Sequence, residues 1–164
     1  MTYAGAAGIV AALLLLAAGA AGKELTPPAG ARLLFSAAAD GVQIYACEAQ
    51  GGGFAWVFKA PEAALFDDSG RQVGTHFAGP TWQASDGSAV AGEVIDKAEA
   101  FGAVPWLLLR AKTHQGEGRL AAVAYIERRD TKGGLAPGTG CDADHRSAEA
   151  RMRYSATYRF YAAP

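Results

Sequence analysis

The segment between residues 74 and 88 gathers the side chains of this chain that are best suited to contact a ligand. It reads GTHFAGPTWQASDGS and contains one of the three histidines and one of the three tryptophans. An imidazole and hydroxyl groups can hydrogen-bond a ligand, and an indole offers a flat face for stacking and one N–H donor. The pattern therefore predicts ligand contacts at Thr75, His76, Thr81, Trp82 and Asp86. The competing interpretation is structural, in which His76 braces a turn and Trp82 fills the core.

Catalytic machinery is harder to assemble from the same segment. Ser88, His76 and Asp86 could be drawn as a triad, but the chain has no GxSxG motif, and closeness in sequence is no measure of triad geometry. The sequence therefore favours a non-catalytic binding or cell-envelope interaction module and names no catalytic residue. The alternative is a secreted hydrolase-like enzyme centred on His76.

The CDADH segment at residues 141–145 is the nearest approach to a metal site. It brings Asp142, Asp144 and His145 into one predicted loop. Carboxylates and imidazoles ligate Zn²⁺ or Ca²⁺, but this spacing matches no standard metal motif, so a solvated loop is the simpler explanation. The glycines at 51–53 precede a predicted strand, whereas a dinucleotide-binding motif needs a helix there. We therefore expect neither a metal nor another cofactor.

Composition narrows the class of protein further. Of the 164 residues, 51% are hydrophobic and 19% are charged, which supports a packed core and excludes an intrinsically disordered chain. The formal net charge of −1 lacks the basic excess of a nucleic-acid binder, so we expect no nucleic-acid partner. The expected partner is an unidentified small ligand or a component of the cell envelope.

The N-terminal segment has the layout of a secretory signal peptide. Residues 4–22 carry no charge, and Ala18-Gly19-Ala20 is a small-x-small cleavage site after the apolar stretch. We expect a signal peptide at 1–20, an extended leader at 21–31 and one β-rich domain at 32–164. The protein is then exported to the periplasm or the extracellular space. An uncleaved membrane anchor is the alternative, and it is the one route by which we expect membrane contact.

Cys47 and Cys141 are the two cysteines of the chain. In an oxidising compartment such a pair favours a disulfide, and a loop of this length would stabilise the fold by about 4–5 kcal/mol in the chain-entropy model. The alternatives are a free buried thiol at Cys47 and a reactive thiol at Cys141.

The candidate site residues must be positioned by short segments in which apolar and polar residues alternate, separated by glycine-rich turns. Period-two alternation is typical of strands, and it is clearest at 41–48 and at 154–161, where Tyr154, Ala156, Tyr158 and Phe160 share one face. Further strands are predicted at 54–59, 72–77, 81–85, 88–97, from Trp106 onward, and as a central strand at 119–128. This pattern predicts an all-β fold, a single antiparallel β-sandwich or β-barrel domain.

Two segments do not follow the alternation. Residues 61–66 fit either one helical turn or a short strand. Residues 131–151 form a long irregular stretch, and loops of that length are either functional or disordered. We expect this loop to offer a second wall to any ligand site at 74–88.

Several segments together resemble the secreted domain of unknown function 3455, which is found in bacteria and fungi. They are GVQIYAC at 41–47, APEAALF at 60–66, GTHFAGPTWQASDGS at 74–88, VPWLLLRA at 104–111, YIERRDTKGGLAPGTGCD at 125–142 and YSATYRFY at 154–161. The resemblance covers nearly all of the predicted mature chain. It implies no activity, because the family has none established. Both cysteines lie within these segments, so the resemblance supports the disulfide by analogy.

Overall fold

The computed structural model describes Met1 and residues 25–164. Apart from Met1, the predicted signal peptide and its cleavage site lie outside the described residues. The described part forms eight strands: β1 Arg32–Gln50, β2 Gly53–Phe66, β3 Gln72–Phe77, β4 Thr81–Ala84, β5 Ala89–Ala100, β6 Ala103–Gln115, β7 Tyr125–Gly133 and β8 Glu149–Ala162. A three-residue 3₁₀ turn, Ala143–His145, is the one helical element within it. None of its helices is long and apolar enough to cross a membrane.

The eight strands form one closed antiparallel sheet. Each strand pairs with the next along the chain, and β1 also pairs with β8, so the sheet closes on itself as a ring. This confirms the predicted all-β antiparallel fold. The closed order also decides between the two predicted architectures, because a sandwich would need two separate sheets.

Alternate side chains of the long strands fill the interior of the ring. On β8, Tyr154, Ala156, Tyr158 and Phe160 are all buried and share one face, as the alternation predicted. On the neighbouring strand, Ala37 pairs with Tyr158 in the β1–β8 register. Small residues beside large aromatic ones allow a narrow ring to close around a packed core.

The connection between β6 and β7 closes one end of the ring. We predicted a central strand over 119–128, and this was wrong for its first part, because β7 begins at Tyr125. Leu120 and Val123 are buried in the core, while the backbone turns through a hydrogen bond from Val123 N to the Leu120 carbonyl oxygen. The apolar pattern of this segment therefore comes from side chains that plug the interior.

Two prolines lie inside strands. Pro61 belongs to β2, so residues 61–66 form a strand and not a helical turn. Pro105 lies within β6, which begins at Ala103, ahead of the start that we predicted at Trp106. The pairing of β6 shifts register beside Pro105 on both of its neighbours, and such irregularities are where a sheet tolerates proline.

The Cys47–Cys141 disulfide is present, with the two Cα atoms 5.3 Å apart. It fixes the β7–β8 connection against β1. The Ser147 amide donates to the Cys47 carbonyl oxygen, and the Cys47 amide donates to the carbonyl oxygen of Ala148, both at 2.9 Å. The irregular stretch is shorter than the predicted 131–151, because β7 continues to Gly133 and β8 begins at Glu149.

Candidate functional site

His76 and Trp82 lie side by side in the interior of the ring. They pair directly across the β3–β4 hairpin, and they are only 2% and 1% exposed. Their rings stack with centroids 4.4 Å apart and an interplanar angle of 10°. The Tyr158 ring of β8 meets both of them edge-on, at 5.0 Å from His76 and 5.4 Å from Trp82. The structure thus brings together these two of the five predicted contact residues.

Gly74 and Gly79, in the segment at residues 74–88, are required by the local backbone structure. A Cβ added to Gly74 would lie 2.4 Å from the carbonyl oxygen of Gln83 on the paired strand, so β3 and β4 approach too closely for any side chain there. Gly79 has a φ of +101°, which suits glycine in the turn that joins the two strands. Gly74 and Gly79 therefore mark close backbone packing and a tight turn.

The His76 imidazole is neutral at physiological pH. Burial lowers its pKa to about 4; the nearby charge of Arg128 adds to that effect, and the hydrogen bond to Thr81 opposes it. Nδ1 lies 2.9 Å from the carbonyl oxygen of Thr81, an acceptor, so Nδ1 carries the ring proton and donates it. Nε2 is then the unprotonated nitrogen and can only accept a hydrogen bond.

A cavity of about 320 Å³ adjoins the stacked pair. It lies between β2, the β3–β4 turn and strands β5 to β8. Most of its wall is apolar, and the apolar contributors come from three strands and the turn: Phe58, Pro61, Pro80, Val94, Leu107 and Leu109. Phe58 and Val94 are about half exposed, at 49% and 50%, and so they mark its mouth.

The polar groups on the cavity wall include two that sequence analysis missed, Arg128 of β7 and Tyr158 of β8. Arg128 is 8% exposed and donates from Nε and Nη2 to the carbonyl oxygen of Pro105, at 3.0 and 2.8 Å. It also lies beside the hydroxyl of Tyr158, whose pKa is raised by burial. Lys59, a further cation on the wall, forms an ion pair with Glu48. The alternation of β8 could have placed Tyr158 inside, but nothing in the charged run around Arg128 marked it as interior.

The other three predicted contact residues lie away from this cavity wall. Thr75 is exposed on β3, and Thr81 is half-buried and offers His76 its backbone carbonyl. Asp86 is exposed in the β4–β5 turn, where its carboxylate accepts hydrogen bonds from Ser88 and from the Arg119 amide. These bonds, that of the Ser88 hydroxyl foremost, lower the pKa of Asp86. Asp86 thus ties the turn to the segment that plugs the ring.

In residues 25–164 the structure assembles neither the Ser88–His76–Asp86 triad nor a metal site at residues 141–145. The Ser88 hydroxyl donates to Asp86 at 2.5 Å, whereas His76 donates from Nδ1 to the backbone carbonyl oxygen of Thr81. Asp142 caps the 3₁₀ turn by accepting from the Asp144 and His145 amides, and it also contacts the His145 ring at 2.7 Å. Within the part of the chain that the structure describes, no group of three or more His, Cys, Asp or Glu side chains is placed to hold a metal ion.

The β7–β8 connection contributes no residue to the cavity wall. Its contacts are instead with β1 and β2. Tyr45 donates from its hydroxyl to the Gly134 carbonyl oxygen at 2.7 Å, and the Trp56 indole donates to that of Thr139 at 2.9 Å. Together with the disulfide, these bonds make the connection a fixed part of the ring.

Fold and cavity together define a class: a closed, eight-stranded antiparallel β domain with a mostly apolar internal cavity beside a buried His–Trp stack. Residues 28–162 match the family model described as "Protein of unknown function (DUF3455)", and the chain belongs to that family. This confirms the family suggested by the sequence. Neither a curated protein nor a solved structure matches the chain.

Proposed function

We propose that this chain is a small-molecule-binding domain whose ligand lies in the cavity beside His76 and Trp82. The observation that carries the proposal is the composition of the wall: a mainly apolar lining interrupted by a few convergent polar groups. Small-molecule sites have this composition, and their volumes run from about 300 to 1,000 Å³. A cavity of about 320 Å³ suits a compact apolar ligand.

The mouth of the cavity supports the same role. Phe58 on β2 and Val94 on β5 expose about half of their surface there. Exposed apolar side chains that border a concave site commonly mark a place where a ligand covers them. An apolar ligand that enters between these two side chains would remove both from water.

A binding role agrees better with the contacts of His76 than hydrolysis does. A general base must reach the proton that it abstracts, and it is usually oriented by a carboxylate. In the described residues, His76 Nδ1 is engaged by the Thr81 carbonyl, and the Ser88 hydroxyl is held by Asp86. We therefore propose a non-catalytic module that acts in the periplasm or outside the cell, where the predicted signal peptide would deliver it.

The test uses N-phenyl-1-naphthylamine, a neutral apolar dye whose fluorescence rises in apolar sites. We expect saturable binding to the wild type and a large loss in Val94→Trp, because the indole narrows the mouth. The matched control is Ile95→Trp, which places the same indole at the next residue, 47% exposed against 50% for Val94 but not on the cavity wall. Equal binding by the two variants, or no saturable binding by the wild type, would overturn the proposal.

A further inference from the structure

We propose that the ligand of this cavity is a carboxylic acid with an apolar body, held as the carboxylate by Arg128. This inference rests on the proposed function and specifies its ligand class. Arg128 places a permanently charged guanidinium on the wall of a mainly apolar cavity.

The charge of Arg128 is buried without an anionic partner. Its side chain contacts the Pro105 carbonyl oxygen and the Tyr158 hydroxyl, which are both neutral. None of the ion pairs formed by the described residues includes it, although Arg129 beside it pairs with Glu127, and Lys59 across the cavity pairs with Glu48. A buried charge is costly unless it is paired, so Arg128 lacks the group that would offset its desolvation.

The cavity wall also carries hydrogen-bond donors that have no acceptor, which again favours an anionic ligand. A guanidinium carries five N–H donors, and the Pro105 carbonyl engages two of the Arg128 nitrogens. The Trp82 indole Nε1, buried on the same wall, has no hydrogen-bond partner. Buried donors are nearly always satisfied in native proteins, so unsatisfied ones point to a missing acceptor.

The apolar part of the cavity wall favours one kind of acceptor, a carboxylate on an apolar molecule. Leu107 and Leu109 flank the polar groups with apolar surface, and Phe58 and Val94 continue that surface to the mouth. A planar carboxylate matches the fork of a guanidinium with two parallel hydrogen bonds and leaves the rest of the molecule apolar. A multiply charged phosphate would leave much of its charge against aliphatic side chains.

The experiment compares 2-naphthoate with its neutral isostere 2-naphthamide by isothermal titration calorimetry. We expect the wild type to bind the acid roughly 10- to 100-fold more tightly than the amide, because one hydrogen-bonded charge pair forms with the acid alone. This preference should vanish in Arg128→Met and persist in part in Arg128→Lys. The matched control is Arg153→Met, at an arginine of β8 whose side chain is 84% exposed.

Each outcome separates this inference from the proposed function. Equal binding of acid and amide by the wild type overturns the carboxylate inference, even if Arg128→Met fails to fold. If neither naphthalene binds while the neutral dye does, the carboxylate inference fails and the proposed function stands. If the dye does not bind either, the proposed function fails with it. Binding of inorganic phosphate as tightly as 2-naphthoate would also overturn the inference, because the apolar body would then contribute nothing.

Discussion

The stability of this protein should fall as the pH is lowered from neutrality, and His76 should be the main cause. In the unfolded chain its pKa is near the ordinary 6.5, whereas in the fold burial lowers it to about 4. Between these two values the unfolded state takes up a proton that the folded state does not, so acid favours unfolding. Linkage over this interval gives a loss of about 2 kcal/mol between roughly pH 7.5 and pH 5, approaching about 3 kcal/mol near pH 4.

The perturbation that isolates this effect is His76→Gln, which keeps an N–H donor for the Thr81 carbonyl and cannot titrate. Urea unfolding of both proteins at a series of pH values gives the free energy of unfolding for each. The substitution will lower stability at every pH, so the quantity of interest is the slope. The wild type should lose about 2 kcal/mol more than the variant over that interval. Parallel curves would show that His76 takes up a proton as readily in the fold as in the unfolded chain, and would refute the reasoning about its burial.

Three further predictions concern the disulfide, the close packing of β3 against β4, and the N-terminal segment. Replacing either Cys47 or Cys141 by Ser should lower the free energy of unfolding by about 4–5 kcal/mol in urea titration, and a change below 1 kcal/mol would contradict the loop argument. Gly74→Ala should destabilise by about 1–3 kcal/mol or more, because its Cβ would lie 2.4 Å from the Gln83 carbonyl oxygen. Gly138→Ala, where nothing lies within 4 Å of the new Cβ, should leave stability nearly unchanged, and equal losses in these two variants would count against the close approach. Intact-mass analysis of protein exported by the native host should give a chain that starts near Ala21, and retention of the N-terminal segment in a membrane fraction would contradict the predicted cleavage.

Much of the fold could be predicted from the sequence, because the apolar and polar residues of a half-buried strand alternate along the chain. The face shared by Tyr154, Ala156, Tyr158 and Phe160 follows directly from a period of two. The error over residues 119–128 has a physical cause, since buried side chains such as Leu120 produce an apolar pattern whether the backbone is a strand or a series of turns. Closure of the ring depends on β1 pairing with β8, a contact between the two ends of the domain that no local pattern encodes.

The site was only partly accessible from the sequence. The pair His76 and Trp82 stood out because both residue types are rare in the chain, and their spacing placed them on paired strands of one hairpin. Arg128 did not stand out, because an arginine in a run of charged residues has the pattern of a solvated surface. Its inward position follows from pairing with Tyr158 in the β7–β8 register, which is a property of the assembled sheet.

The most direct test of a ligand in this cavity is the indole N–H signal of Trp82 in a heteronuclear NMR titration. The chain has three tryptophans, and among them Trp82 alone lies on the cavity wall, so Trp56 and Trp106 serve as internal references. Addition of N-phenyl-1-naphthylamine should shift the Trp82 signal saturably and leave the other two unchanged. A Trp82 signal that stays in place while the dye binds elsewhere, or does not bind at all, would contradict the account.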